Sequence, residues 1–411
     1  MDRFKPDTAG AIQDIIGWAI SDEKSLRVEG AGSKPGLGRP VDTDAVIELS
    51  ALTGITLYEP GELILRAKAG TPLQEINDAV AQAGQQLAFE PPSWGALYGV
   101  SHGGTLGGLI AANQSGSRRF KAGALRDHLL GVEAVSGRND VFKSGGRVMK
   151  NVSGYDLPKL MAGSYGTLGV ITEATLKVMP KPERVQTLMI AGTTDRDASA
   201  LMTAATKSPL EVSGAAYLPG AVVAKSRLPE IAGVDNGITL LRLEGYADSI
   251  DARMTSLKDL VSAKGIDLDP IAGREGVAVL ENATSDQLWR EVSNADFFAQ
   301  DTSALWRVSS VPGRMNAIVA SVGADAWFAD WAGGLIWFSV PTDGTADADI
   351  IRQAVKRGGG HATLMRAPDA LRKRVPVFEP QDPVLAKLTA NIKTAFDPHG
   401  VLNPGRMYAD V

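Results

Sequence analysis

The sequence predicts an α+β protein in two main parts, and three observations predict it. Glycines cluster at Gly103-Gly104-Thr105-Leu106-Gly107-Gly108 and at Gly163-Ser164-Tyr165-Gly166-Thr167-Leu168-Gly169, each with the tetrapeptide GTLG, and a third glycine loop lies near residue 30. Clustered glycines let backbone N–H groups approach a ligand that side chains would block, and consecutive N–H groups aimed into one concavity form an anion nest. One cluster alone reads as a tight turn between strands. Three within the first 170 residues point to a large ligand with an internal pyrophosphate, a nucleotide cofactor. Second, Pro180 and Pro182 mark a boundary. Third, from about residue 185, stretches with a period near 3.6 alternate with strands, the sign of an α+β layer.

Composition narrows the function. The 411 residues suffice for two or three domains, and 44% hydrophobic with 22% charged residues fits a soluble globular chain. A net charge of −5 without a long Lys/Arg block argues against nucleic acid as a partner. The first 20 residues have neither a long apolar run nor a small-residue cleavage site, and no segment approaches the roughly 20 apolar residues of a spanning helix. The expected location is the cytoplasm, at a membrane only through a partner. With no cysteine, the chain holds no disulfide, thiolate nucleophile, Cys-ligated zinc or Cys-ligated iron–sulfur cluster.

The elements follow in order. Thr8 caps a first helix with Ile12, Ile15, Ile16 and Ala19 on one face. Leu26 and Val28 alternate with polar residues in a short strand that runs into Gly30–Lys34. A Rossmann fingerprint fails here: Gly30 and Gly32 are present, but Pro35 stands in place of the third glycine, and Pro35, Gly36, Gly38 and Pro40 forbid a following helix. Strands follow at 47–50, 55–58 and 63–67. Thr71, Pro72 and Gln74 read as a capping box opening a helix with Leu73, Ile76, Val80 and Ala83 inward and Gly84 at its end. Residues 113–123 are a loop, 129–135 a strand whose hairpin partner begins at Asp140, and 170–178 an alternating strand. Beyond the boundary, strands are expected at 215–218, 238–245, 277–280, 305–309, 335–340 and 361–366, with helices at 198–206, 250–261, 286–298, 314–321 and 347–356. Asp382 and Pro383 open a last helix with Leu385, Leu388, Ile392 and Phe396 inward. No repeat of domain length is visible.

The passages VEGAGSK, YEPGELILRAKAGTPLQEI, FEPPSWGALYGVSHGGTLGGLIAANQSGSRRFKAGALRDHLLGVEAV, VMKNVSGYDLPKLMAGSYGTLGVITEATLKVMPKP and FDPHGVLNPGRM carry a resemblance. They resemble the vanillyl-alcohol-oxidase/PCMH-type FAD-binding proteins and, among these, the family of FAD-binding E subunits of bacterial glycolate oxidases. The resemblance implies a PCMH-type FAD-binding domain over 1–182, made of two α/β subdomains with a boundary near 53. An α+β cap domain over 183–380 and a C-terminal helix and tail over 381–411, packing back on the FAD domain through Asn403 and Arg406, complete the expected organisation. It implies FAD contacts from Gly30, Ala31, Gly32, Ser33 and Lys34, from Pro91, and from Thr105, Leu106, Gly107 and Gly108. Asn113, Ser115, Gly116 and Ser117 are implied to approach the flavin, Gly169, Val170 and Ile171 to meet the adenosine or flavin end through backbone groups, and Gly163, Gly166 and Thr167 to bind the cofactor as well. Gly107 is expected to need a positive φ beside the phosphates.

Many relatives of this kind attach FAD through a His of the first loop; residues 30–38 contain none, so FAD is expected to be non-covalent. Relatives that oxidise 2-hydroxy acids alone carry a His-x-His metal pattern, whereas His102, His128, His361 and His399 are scattered here, and no metal is expected. Hydride removal from a 2-hydroxy acid needs a flavin, a cationic anchor and a base. His361 is the candidate base, against an ordinary half-buried strand His. Arg307 and Arg366 are candidate carboxylate clamps, against surface ion pairs. Arg118, Arg119 and Arg126 pair phosphate or anchor their loop; Trp327, Trp331 and Trp337 form cap core or a subunit interface. The implied function is that of an FAD-binding subunit oxidising glycolate to glyoxylate beside a larger FAD-binding subunit and an iron–sulfur subunit. The alternatives are a self-sufficient, D-lactate-like 2-hydroxyacid dehydrogenase and a flavin-carrying assembly subunit.

Overall fold

A computed structural model describes residues 1–146, 154–234, 236–265, 276–409 and 411. The chain divides into two units: unit 1 comprises 1–115, 123–181 and 376–411, and unit 2 comprises 116–122 and 182–375.

Unit 1 begins with β1 (Asp2–Phe4), α1 (Ala9–Ser21), β2 (Leu26–Glu29) and β3 (Ala45–Glu48). The strands form a parallel sheet in the order β1-β3-β2. Thr8 caps α1 by accepting from the Ala11 N–H, and Ile12, Ile16 and Ala19 are buried. Each buried Ile contributes roughly 1.5–3 kcal/mol. The strand expected through Ser50 ends at Glu48, because the chain tightens into a 3-10 turn over Leu49–Ala51.

A second sheet carries β4 (Ile55–Glu59), β5 (Ile64–Lys68), then, after α2 (Leu73–Gln82) and a short β6 (Gln85–Gln86), β7 (Leu129–Ser136), β8 (Val141–Gly145) and β9 (Gly169–Lys177). These five run antiparallel in the order β4-β5-β9-β7-β8, while β6 pairs with β10 (Met179–Pro180). The capping box at α2 does not form. Thr71 is buried and its hydroxyl bonds the N–H and C=O of Gly54, tying two connections together; Pro72 stands at the N-cap and Gln74 turns to Asp78. Ala83 is the exposed C-cap. Between β6 and β7 lies α3 (Leu106–Ala111), whose Leu106, Leu109 and Ile110 join one core with Val135, Val170, Leu176 and Leu402. In the C-terminal helix, Pro383–Phe396, Ile392 and Phe396 pack on this core, but Leu385 and Leu388 are exposed and Lys393 is buried instead.

Unit 2 is an eight-stranded antiparallel sheet of β11 (Arg184–Ala191), β12 (Gly214–Leu218), β13 (Ile238–Gly245), β14 (Val277–Glu281), β15 (Ala304–Ser310), β16 (Ala326–Asp330), β17 (Leu335–Val340) and β18 (Gly360–Arg366). Its order is β14-β11-β13-β12-β16-β17-β15-β18. Each half is a β-α-β-β-α-β unit whose fourth, first, third and second strands are neighbours, the ferredoxin-like arrangement, and the halves join through Tyr217↔Ala329. A structural repeat thus exists where no sequence repeat is visible, since this topology requires matching hydrophobic periods rather than matching residues. β11 and β16 were not expected from the sequence. Trp327, Trp331 and Trp337 are buried in this unit, and Phe328 stacks between Phe298 and Trp337.

Candidate cofactor site

Where β2 ends, the chain turns through Gly30–Lys34 with Gly32 in the left-handed region (φ +71°). The N–H groups of Ala31, Gly32, Ser33 and Lys34 bond no acceptor among the described residues. Against this loop lies the turn into α3, where the Thr105 side chain accepts from the Gly108 N–H. The two loops touch so closely that side chains are excluded. A Cβ on Gly30 would lie 2.2 Å from Thr105 Oγ1, and one on Gly104, itself at φ +90°, would lie 2.5 Å from Ser33 Oγ. A third strand of backbone enters at Gly166 (φ +71°), where a Cβ would fall 2.7 Å from Asn403 Nδ2.

These loops surround a cavity of 170 Å³ lined by Gly30–Lys34, Thr105, Gly108, Ala111, Ala112, Tyr165, Asn403 and Arg406, with Arg27–Glu29 along one side. A smaller space of 50 Å³, sharing Val28, Gly30, Gly108 and Tyr165, continues to Leu49, Gly107, Gly166, Gly169 and Ile171. A larger one of 550 Å³, sharing Ala31 and Thr105, extends past Pro91, Ser93, His102, Gly103 and Gly104. The charges are uneven. Glu29 pairs with Arg3 and Arg27, whereas Lys34 has no carboxylate partner among the described residues; its Nζ donates to Ser33 Oγ at 3.0 Å. Half-buried Lys34 is desolvated, which pushes its ammonium down to about 8. Free amides in series, a cation without a counter-charge and glycines that admit no Cβ fit the pyrophosphate of a dinucleotide.

The C-terminal tail completes the wall. Asn403 Oδ1 accepts from the Val28 N–H at 3.1 Å, its Nδ2 donates to the Tyr165 carbonyl at 2.8 Å, and its N–H donates to the Leu26 carbonyl. One residue therefore bridges β2 and the second glycine cluster. Lys393 Nζ fixes the tail by donating to the carbonyls of Thr167 and Leu402 and to Asp397 Oδ2 at 2.6 Å. Burial pulls its pKa down, and Asp397 opposes that shift.

Of the expected cofactor residues, the first loop, Pro91, Thr105, Gly107, Gly108, Gly166, Gly169 and Ile171 line these cavities. Gly107 does not have a positive φ; a Cβ there would meet Ala69 Cβ at 2.8 Å, so its glycine serves packing between α3 and the segment after β5. Leu106 and Val170 are core. Asn113 and Ser115 accept from the N–H groups of Arg126 and Leu125 and hold their own loop. Gly163 and Thr167 shape the second turn, Thr167 Oγ1 donating to the Ser164 carbonyl. Gly116 and Ser117 belong to unit 2: the Gly116 carbonyl accepts from Trp331 Nε1, and Ser117 Oγ donates to buried Asp330 at 2.6 Å. In the same segment, Arg118 forms a bidentate pair with Glu244, Arg119 stacks on Trp331, and Arg119–Ala122 is a helical turn within the expected loop. Asn403 and Arg406 were expected only to pack; Arg27, Glu29 and Tyr165 carried no sequence signal beyond their neighbours.

In unit 2, Arg307 stacks on Trp331 at 4.8 Å and Trp337 at 5.9 Å. His361 is exposed on β18, an edge strand, paired with Ser309 and so two positions along from Arg307. Arg366 donates to the carbonyls of Phe298 and Ser303. Arg307 and His361 share a region of the sheet; Arg366 is occupied with backbone. No cluster able to hold a metal occurs, and no helix is long and apolar enough to cross a membrane, both among the described residues.

Residues 3–145 match the family described as FAD binding domain. The glycolate oxidase subunit GlcE of Escherichia coli is 33% identical over 406 residues, covering 98% of this chain and 99% of that protein. A D-lactate dehydrogenase of Archaeoglobus fulgidus is 36% identical over 197 residues, covering 47% and 42%. The fold is also that of p-cresol methylhydroxylase, with a TM-score of 0.70 at 16% identity over 100% of this chain and 88% of the other. With the cradle and these matches together, the chain belongs to the PCMH-type FAD-binding oxidoreductases, in the family of the glycolate oxidase E subunits, and its cofactor is FAD.

Proposed function

We propose that this chain is the FAD-binding subunit of a glycolate dehydrogenase complex, taking part in the oxidation of glycolate to glyoxylate and handing electrons to partner subunits. The observation that carries the reading is a likeness to GlcE that spans nearly the whole of both chains. Bound FAD supplies a two-electron acceptor. The chain's own residues hold it: the Ala31–Lys34 amides and Lys34 at the pyrophosphate, with Asn403 keeping β2 and the second glycine cluster in register. FAD is held without a covalent link, since the first loop offers neither His nor Cys.

The partners are a larger FAD-binding subunit and an iron–sulfur subunit, and composition supports the second. The chain has no Cys to ligate a cluster, so a one-electron carrier must be supplied by another chain. On the substrate side, Arg307 is the candidate carboxylate anchor and His361 the candidate base; Arg366 supports the 298–303 segment. Acid precipitation should release all yellow colour into the supernatant. The chain reconstituted with FAD should fail to sustain glycolate-dependent quinone reduction until the other subunits are added. Sustained turnover by the single chain would replace this reading with a self-sufficient 2-hydroxyacid dehydrogenase.

A further inference from the structure

We propose that Lys34 is the cationic anchor of the FAD pyrophosphate and the group that sets how FAD affinity depends on pH; this rests on the 170 Å³ cavity being the pyrophosphate site. Lys34 Nζ lies 3.3 Å from where a Gly104 Cβ would stand and 3.8 Å from that of Gly108. The ammonium of the first loop thus overhangs the second, and both loops present backbone to the same space.

The charged and titratable neighbours leave Lys34 the open charge. From β2, Arg27 and Glu29 pair with each other at 2.6 Å, and Glu29 also meets Arg3. From the tail, Arg406 Nη1 donates to the Arg39 carbonyl at 3.3 Å. Tyr165 stands on the second glycine cluster, and His102 lines the adjoining 550 Å³ space. Among the described residues, the Lys34 ammonium has Ser33 Oγ alone as a partner. A desolvated ammonium with no counter-ion is unfavourable in the empty protein and becomes favourable when a phosphate anion arrives.

The sign follows. Without ligand the ammonium titrates near 8; the bound anion raises that value. FAD affinity is therefore level below about pH 8 and falls above it, by up to roughly tenfold per pH unit, and binding at pH 8.5 takes up a fraction of a proton.

The test titrates flavin-free full-length protein with FAD and, separately, with ADP, which carries the pyrophosphate without the flavin. Lys34→Gln should weaken both by a similar factor of ten or more and level the pH profile between 7 and 9.5. Lys34→Arg should restore most of the affinity with no pH dependence in that window. Calorimetry of the wild type at pH 8.5, in two buffers of different ionisation enthalpy, should show the proton uptake. Loss of FAD affinity with unchanged ADP affinity would move Lys34 to the flavin end and overturn the proposal, as would unchanged affinity for both. A separate variant, Gly108→Leu, probes the underlying assignment: its Cβ meets nothing closer than 3.5 Å, so the protein should fold while its side chain fills the cavity. Normal FAD and ADP binding by that variant would show that the pyrophosphate lies elsewhere, independently of Lys34.

Discussion

In unit 1 a lysine, Lys34, lies among glycines with no carboxylate to meet it among the described residues; in unit 2 a fully buried arginine, Arg242, is met by several partners. Arg242 donates to the hydroxyl and carbonyl of Ser213, faces Glu244 at 3.8 Å and stacks on Trp289 at 4.5 Å. Glu244 in turn holds Arg118. The first charge is open and the second closed. A similar contrast separates two adjacent glycines that both line the cavities: the Cβ direction of Gly107 is closed by Ala69, and that of Gly108 is open. Positive charge alone does not separate the two cations, nor residue type the two glycines. A group marks a ligand when its partner is missing from the protein, and structure when its partner is present.

The comparison breaks most visibly at the closed charge. Arg242→Met should cost unit 2 about 3–5 kcal/mol in chemical denaturation, because Glu244 loses one of its two buried partners; a loss below about 1 kcal/mol would mean that the network is not holding the sheet. A pH series probes the same site from the other side. Burial, the largest influence on Glu244, raises its pKa, but Arg242, Arg118 and the hydrogen bonds outweigh it and bring the group to about 2. A depressed carboxylate contributes stability above its unfolded value of roughly 4.3 and loses it as pH falls toward the folded value. About 3 kcal/mol should therefore disappear between pH 5 and pH 2, and Glu244→Gln should flatten that slope; an unaltered slope in the variant counts against the assignment.

Gly107→Val sharpens the glycine pair. Overpacking against Ala69 should cost unit 1 about 1–3 kcal/mol, read as a lower denaturation midpoint of the flavin-free protein. An unchanged midpoint with lost flavin would return Gly107 to the phosphate cradle. The smallest effect is expected at Leu388, exposed on the C-terminal helix. Leu388→Ser should shift stability by less than about 0.5 kcal/mol, whereas a large loss would mean that the helix buries this face in solution.

The cradle was legible because it is made of local backbone features: glycine spacing survives in the one-dimensional record, and GAGSK and GTLGG name their own positions. Asn403 as a cavity wall was not, because its partners Val28 and Tyr165 lie 375 and 238 positions away. The inward face of the C-terminal helix was misread at Leu385 and Leu388 because only its second half touches the core, where Lys393 and Ile392 are held. Helical period reports a face, not how far along the helix that face is covered. The doubled architecture of unit 2 escaped notice for a related reason: β16 carries Trp, Phe and Asp in a run without clean alternation, and one of its halves is legible only beside the other.

The bridge from Asn403 to Val28 also has a consequence for synthesis. A chain emerging from the ribosome makes β2 and the first glycine loop almost at once, then the whole of unit 2, before the residue that joins them to Tyr165 exists. The candidate cradle therefore lacks one wall until nearly the whole chain has been made. The tail therefore supplies the last wall of the candidate site to be synthesised.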